Sequence, residues 1–358
     1  MRWMKCWTRN ARPASPFGFF LGIAWRLGEP GRAGICLLLL LSLLASGGVL
    51  ACLSQETTLH SQSNVVVIPA LVKGAKGEIV YGLEARDFLV EDDGVEQAVH
   101  LDEAVEGSQV SLVVAIQRGG RANYEFPRIR GLSSMLGPLV EEGRGRVAIV
   151  EFDSQVQLVQ DLSSNPERTK ETLKGIEAGD GGAAILDAVD YSVKVLEKAP
   201  KERQRVLLLI SETRDHGSQA KVEDVVAKIG QSNTAVYALA FSPSRSNVLD
   251  TMRGNNIEEM RPTVDILALA YMAAQAMRRN APQTVASMTG GEYEMFATGK
   301  HFEERMIDFT NHLRSRYLLS IEPKSPHAGL HEIRVRLRDA GDRTLLARTR
   351  YSVAGATQ

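Results

Sequence analysis

The spacing of apolar positions changes several times along the chain, and each change predicts an element. A solid leucine run from Ile35 to Ala45 sits inside 21 uncharged, mostly apolar residues, 33–53. That is about long enough to cross a ~30 Å hydrocarbon layer, while the leucine core alone matches the apolar core of a signal peptide. The earlier Phe17–Trp25 stretch is too short to span. Residues 54–63 are polar and read as a linker. β-type patterning follows. It predicts a strand over Val65–Val72, a turn at 73–77, a second strand over Ile79–Leu83, and a hairpin of Phe88–Glu91 with Val95–Leu101 across Asp92-Asp93-Gly94. At the far end Ile333, Val335 and Leu337 alternate with Arg334, Arg336 and Arg338, and Leu345–Val353 repeats the period of two. So few strands cannot bury two faces by themselves. Both ends are therefore expected to meet in one small β-sandwich, with the middle of the chain inserted between them.

That middle, about 108–322, alternates strand and helix patterns, the mark of a doubly wound α/β sheet. Ser111–Ile116 reads as a buried strand, and Phe126, Ile129, Leu132, Leu136, Leu139 and Val140 fall on one face of a single helix. Val147–Phe152 and Val156–Val159 form a hairpin around Asp153-Ser154-Gln155. Helices carrying Leu173 and Ile176, then Ile185 to Leu196, lead to the strand Val206–Ile210. A helix with Val222 to Ile229, a strand Ala235–Phe241, an alanine-rich helix Val264–Met277, a strand after Gly290-Gly291, a helix from Phe302 to Leu313 and a last strand Tyr317–Ile321 complete the series.

Charge sharpens the division. The 358 residues carry 42 Lys+Arg and 43 Asp+Glu, a formal net charge of −1, which gives no electrostatic basis for nucleic-acid binding. That average conceals two unlike parts. Residues 1–52 hold six basic residues and one acid, leaving net −6 for the rest. All three cysteines, Cys6, Cys36 and Cys52, lie in the leader, so the body has no disulfide, thiolate ligand or cysteine nucleophile. No Lys or Arg occurs between Arg32 and Lys73, and positive-inside bias then places everything after Leu53 across the membrane. Three fates of the leader stand side by side: a retained transmembrane anchor, cleavage after Val49-Leu50-Ala51, or lipidation at Cys52 in a loose Leu-Ala-Cys setting.

Five runs carry a resemblance: GLEARDFLVEDDGVEQAV at 82–99, GRVAIVEFDSQVQLVQDL at 145–162, AGDGGAAILDAV at 178–189, RVLLLISETRDHGS at 205–218 and RYLLSIEP at 316–323. With them the middle section resembles the von Willebrand factor type A domain. The whole span 64–353 is similar to a bacterial family in which that domain is embedded between short β segments. The resemblance implies a Rossmann-like sheet with a ligand site at the carboxyl ends of its strands. Residues 64–103 and 323–358 are then the β-sandwich and 108–322 the type A domain. In the family the site holds Mg²⁺ or another divalent ion through Asp-x-Ser-x-Ser, a Thr and an Asp. By position this chain has Gln117, Gly119, Arg121, Ala183 and Glu212 instead, so the implied adhesion site is degenerate and no metal ligands are assigned.

Two readings of the rim stand. Either Arg118 or Arg121 replaces the ion, pairing with Glu212 or with an acidic group on a partner, or these arginines are solvated loop residues. Glu212, Asp215 and Asp180 form either an improvised cation site or loop acids at helix N-termini. No Walker loop, Gly-x-Ser-x-Gly, dinucleotide fingerprint or His-Glu-x-x-His occurs. The Gly-rich 179–184 segment reads as a close approach of loop to sheet. The nearest approach to a catalytic cluster is His216 with Asp215 and Glu212, which would need Ser211, Thr213 or Ser218 as the hydroxyl of a hydrolase. The sequence thus leads to an extracytoplasmic protein-interaction module of the cell envelope, without catalytic residues or cofactor, whose partner rim is Gln117, Arg118, Arg121, Glu212 and Asp215. A hydrolase, or a purely structural envelope component, is the alternative.

Overall fold

The computed structural model describes residues 65–102, 109–129, 131–140, 145–200, 203–241, 266–324 and 327–353. The apolar segment 33–53 and Cys52 lie outside them. Among the described residues no helix is long and apolar enough to cross a membrane.

The centre is a six-stranded sheet in the order β10-β9-β8-β5-β6-β7. Its strands are β5 (Val110–Gln117), β6 (Gly145–Phe152), β7 (Val156–Ser163), β8 (Gln204–Ser211), β9 (Thr234–Phe241) and β10 (Tyr293–Phe296). All neighbours are parallel except β6 and β7, which form an antiparallel hairpin. β5 and β9 are buried along their whole length, which is why they are continuous apolar runs rather than alternating ones. Alternation persists in the direction of the side chains. Val113 and Ala115 enter a core shared with α4 (Ile185–Glu197), α5 (Val222–Gln231), α6 (Ile266–Arg279) and α7 (Ala281–Thr289). Leu112, Val114 and Ile116 face the opposite core with α1 (Phe126–Ile129), α2 (Leu132–Val140) and α8 (Gly299–Arg314). The sheet is therefore covered on both faces, as a mostly parallel sheet requires.

Several elements differ from expectation. The single helix over 126–140 is two, α1 and α2, with Gly131 in the turn between them; a mid-helix glycine is disfavoured by backbone entropy. Helix α7 was not expected. Its signals are local: Asn280 accepts from the Gln283 N–H, a proline stands in the first turn, and Gly290 ends the helix at φ 76°.

Strands from both chain ends form two four-stranded sheets, β13-β1-β11-β4 and β14-β12-β2-β3. They comprise β1 (Val66–Lys73), β2 (Phe88–Asp92), β3 (Val95–Gln97), β4 (His100–Asp102), β11 (Tyr317–Ile321), β12 (Gly329–Leu337), β13 (Thr344–Ala347) and β14 (Arg350–Val353). Ile68, Phe88, Val90, Leu319, Ile333 and Tyr351 from the two sheets share one apolar cluster. Residues 79–83 are not a strand. Beyond one bridge at Ile79 they are held by Tyr317, whose Oη donates to the Val80 carbonyl at 2.9 Å and accepts from the Leu83 N–H at 3.1 Å. The expected arm 95–101 splits between sheets, since β3 pairs with β2 and β4 with β11. The expected strand 345–353 also breaks, because Arg348 turns inward to donate to the Gly230 carbonyl at 2.5 Å. Tyr317–Ile321 pairs with β1 and β4 rather than with the large sheet.

Candidate functional site

The four loops at the carboxyl end of β5, β6 and β8 and before α4 are tied together. The Arg118 N–H donates to the Phe152 carbonyl at 2.7 Å, Gly120 N–H to Asp180 O at 2.7 Å, and Gly179 N–H to Arg118 O at 2.9 Å. Ala183 and His216 exchange backbone bonds of 2.9 and 3.0 Å. The glycines permit this approach. A Cβ at Gly119 would fall against the Gly182 carbonyl oxygen and within 2.9 Å of the Asp180 oxygen, and one at Gly182 within 2.5 Å of the Ser154 nitrogen.

At the apex Gln117, 1% exposed, meets Glu212. Gln117 Nε2 donates to Glu212 Oε1 at 3.1 Å and to the Gly119 carbonyl at 3.1 Å, while its Oε1 accepts from the Glu212 N–H at 2.9 Å. The amide thus donates both to the Glu212 carboxylate and to a backbone carbonyl of the same loop. His216 Nδ1 stands 3.4 Å from the same Glu212 oxygen. A divalent ion of the adhesion-site kind would need several oxygens here. Gly119 and Ala183 bring no side-chain oxygen, and the Gln117 NH₂ already donates to Glu212 Oε1. The residues present do not fit such an ion.

The arginines divide. Arg118 does not pair with Glu212, contrary to one expectation; its Nη2 lies 2.9 Å from Asp153 Oδ2 and its Nε 3.8 Å from Glu151. Asp153 is 4% exposed, and a buried carboxylate draws the adjacent cation. Burial pushes the Glu151 carboxyl above its ordinary range, against the pull of Arg118. Arg121 sits exposed on the short 3₁₀ turn Gly120–Tyr124.

The three acids of the expected improvised site have separate tasks. Asp180 accepts from the Ser154 hydroxyl, the Gly182 N–H at 2.8 Å and the Ser154 N–H at 3.0 Å. Those bonds, the hydroxyl first, hold its carboxyl below the usual range. Asp215 caps α4 from a different loop: its Oδ1 accepts from the Leu186 N–H at 3.0 Å, and Ser218 Oγ accepts from Leu186 and Asp187. Asp187 returns the contact to the N–H groups of Gln219 and Ala220 at 2.9 and 2.7 Å. Ser218 is thereby committed, as is Ser211, whose hydroxyl donates to the Glu212 carbonyl. Besides its contact with Glu212, the His216 ring lies within hydrogen-bond distance of the carbonyls of Arg214 and Gly181. Sequence reading missed Asp153 and Ser154, taken as a plain hairpin turn; an Asp whose Oδ1 accepts from the N–H two residues on was the available signal.

Residues 124–215 match the family model of the von Willebrand factor type A domain. No curated protein sequence matches the chain. Among solved structures, an aerotolerance-related membrane protein from Bacteroides fragilis is 16% identical, covering 56% of this chain and 98% of its own, with a TM-score of 0.39. BatB from Bacteroides thetaiotaomicron is 15% identical over 56% of this chain and 99% of its own, TM-score 0.37. A von Willebrand factor type A protein from Catenulispora acidiphila is 11% identical over 83% and 76%, TM-score 0.43. The family match runs from the turn after β5, through β6, β7, α3 (Pro166–Lys174), α4 and β8, to the loop bearing Asp215, so over that stretch the chain is similar to the von Willebrand factor type A domain.

Proposed function

We propose that the chain is an extracytoplasmic protein-interaction module, tethered to a membrane or released from it, whose loop rim grips a protein partner without a conventional divalent ion. The observation that carries this reading is the Gln117–Glu212 pair, which fills the apex of the rim with an amide–carboxylate contact. Arg121 stands exposed beside it, so recognition runs through charge-assisted hydrogen bonds to an acidic partner surface. The rim is not a hydrolase site in this reading, since Ser211 and Ser218 are bonded away from His216. The two four-stranded sheets act as one sandwich that frames the domain, and the basic leader with its leucine run carries the body across a membrane.

The test is partner capture from envelope fractions by wild type and by Arg121→Glu, each with and without added Mg²⁺ or Mn²⁺. Capture that is lost in Arg121→Glu and indifferent to the ions supports the reading. Capture unchanged by Arg121→Glu, or dependent on the ions, overturns it. Mass spectrometry of the membrane-fraction protein separates a chain starting at Met1 from one starting at Ser46 or at lipidated Cys52.

A further inference from the structure

Away from the rim, the turn between β2 and β3 meets the start of β12. Asp93 sits there at φ 47°, exchanging bonds with Glu332: its N–H donates to the Glu332 carbonyl and its Oδ1 accepts from the Glu332 N–H, both at 2.9 Å. Its other oxygen, Oδ2, faces two imidazoles, 2.8 Å from His331 Nδ1 and 3.6 Å from His327 Nε2. Asp92 Oδ1 is 3.4 Å from the same His331 Nδ1.

His331 is fully buried and stacks on Tyr351 at 4.5 Å, and Tyr351 Oη donates to Asp92 Oδ2 at 3.0 Å. His331 Nε2 lies 2.8 Å from the His327 carbonyl. A proton on Nε2 donated there leaves the Nδ1 lone pair turned toward two carboxylates. Neither His331 Nδ1 nor Asp92 Oδ1 has a hydrogen bond of proper geometry, and both atoms are buried. A nitrogen lone pair and two carboxylate oxygens converging at a buried atom repel one another unless that nitrogen takes up a proton or a cation lies among them.

We propose that Asp93, His327 and His331, with Asp92 beside them, bind a borderline divalent transition cation of the Zn²⁺ class. Ligand atoms about 2.0–2.2 Å from a tetrahedral ion lie roughly 3.3 Å apart. The observed 2.8, 3.4 and 3.6 Å fall on both sides of that spacing. Mixed imidazole and carboxylate donors suit zinc rather than Mg²⁺ or Ca²⁺, which take oxygen alone. The bond from His331 Nε2 to the His327 carbonyl is the outer contact that fixes the ligating tautomer. His327 Nδ1 stands 2.7 Å from His331 Nε2, so ligation through its Nε2 turns this half-exposed ring out of that contact. The bound ion joins the β2–β3 turn to β12.

The test titrates Zn²⁺ into the full chain by calorimetry and against a chromophoric chelator, with Co²⁺ absorption as a report of tetrahedral nitrogen and oxygen ligation. Two variants keep the fold. Asp93→Asn retains the Oδ1 acceptor and tolerates positive φ, and His327→Ala removes an exposed ring; circular dichroism without metal checks both. One Zn²⁺ per chain, with affinity reduced at least about 10-fold in each variant, supports the site. No stoichiometric binding by wild type, or undiminished affinity in either folded variant, overturns it and leaves a protonated His331 between the two carboxylates.

Discussion

Gly119 shows how one residue decides what the rim can be. The type A motif would place a serine there, and in this fold its Cβ would meet the Gly182 carbonyl and stand 2.8 Å from Asp153 Cβ. Backbone cannot swing aside as a flexible side chain can, so Gly119→Ser is expected to lower stability by about 1–3 kcal/mol, read from the urea midpoint. A variant as stable as wild type would show that the 179–182 loop has room to retreat. The same contacts explain why Gln117 in place of an aspartate is self-consistent: its amide both donates to and accepts from Glu212, and a second carboxylate at 117 would face the first unpaired.

Among the elements, α4 draws its N-terminal cap from residues outside itself. Its N-terminus has no cap from Ala184, and the free N–H groups are taken by Asp215 and Ser218 from the loop after β8. A carboxylate at that end also complements the helix dipole. Asp215→Ala should cost about 0.5–2 kcal/mol in thermal or urea unfolding and raise amide exchange at Leu186 and Asp187 together with Gln219 and Ala220. Exchange confined to one side would show the loop and the helix to be independent. The strands of the large sheet were legible in sequence because burial on both faces writes continuous apolar runs. The breaks at residues 98–99 and 348–349 were not, since β patterning continues across each while the hydrogen-bond partner changes sheet. The rim was half legible: position identified Gln117 and Glu212, but the partner of Arg118 is set by Asp153, from a loop 35 residues further along the chain.

For the whole molecule, Glu292 joins the two kinds of sheet. Ahead of β10, it takes Lys73 Nζ of β1 at 2.9 Å, His312 Nδ1 of α8 at 2.8 Å and Arg316 Nη2 at 3.0 Å. Burial alone would raise its carboxyl, but the His312 bond, Arg316 and Lys73 together hold it at about 2, against an ordinary 4.5. A depressed folded value means stability that is present above the unfolded value and is lost as pH falls toward 2; the shift corresponds to about 3 kcal/mol. Glu292→Gln, which strands the buried Arg316, should therefore lower stability by about 3–5 kcal/mol near neutrality. Its deficit in urea melts should shrink as pH falls from about 5 to about 2. A deficit that stays constant across that range would place the cost in packing rather than charge.

By itself the sequence determined the class of the fold and the split between a basic cysteine-bearing leader and an acidic body, because each is written in local period, residue type or spacing. Only the tertiary structure decided which sheet each end strand joins, that Gln117 answers Glu212 while Asp153 answers Arg118, and that Asp92, Asp93, His327 and His331 converge. Those outcomes rest on groups brought together from far along the chain, such as Asp92 and Tyr351, 259 residues apart, where directed hydrogen bonds and burial select partners that no neighbouring residue specifies.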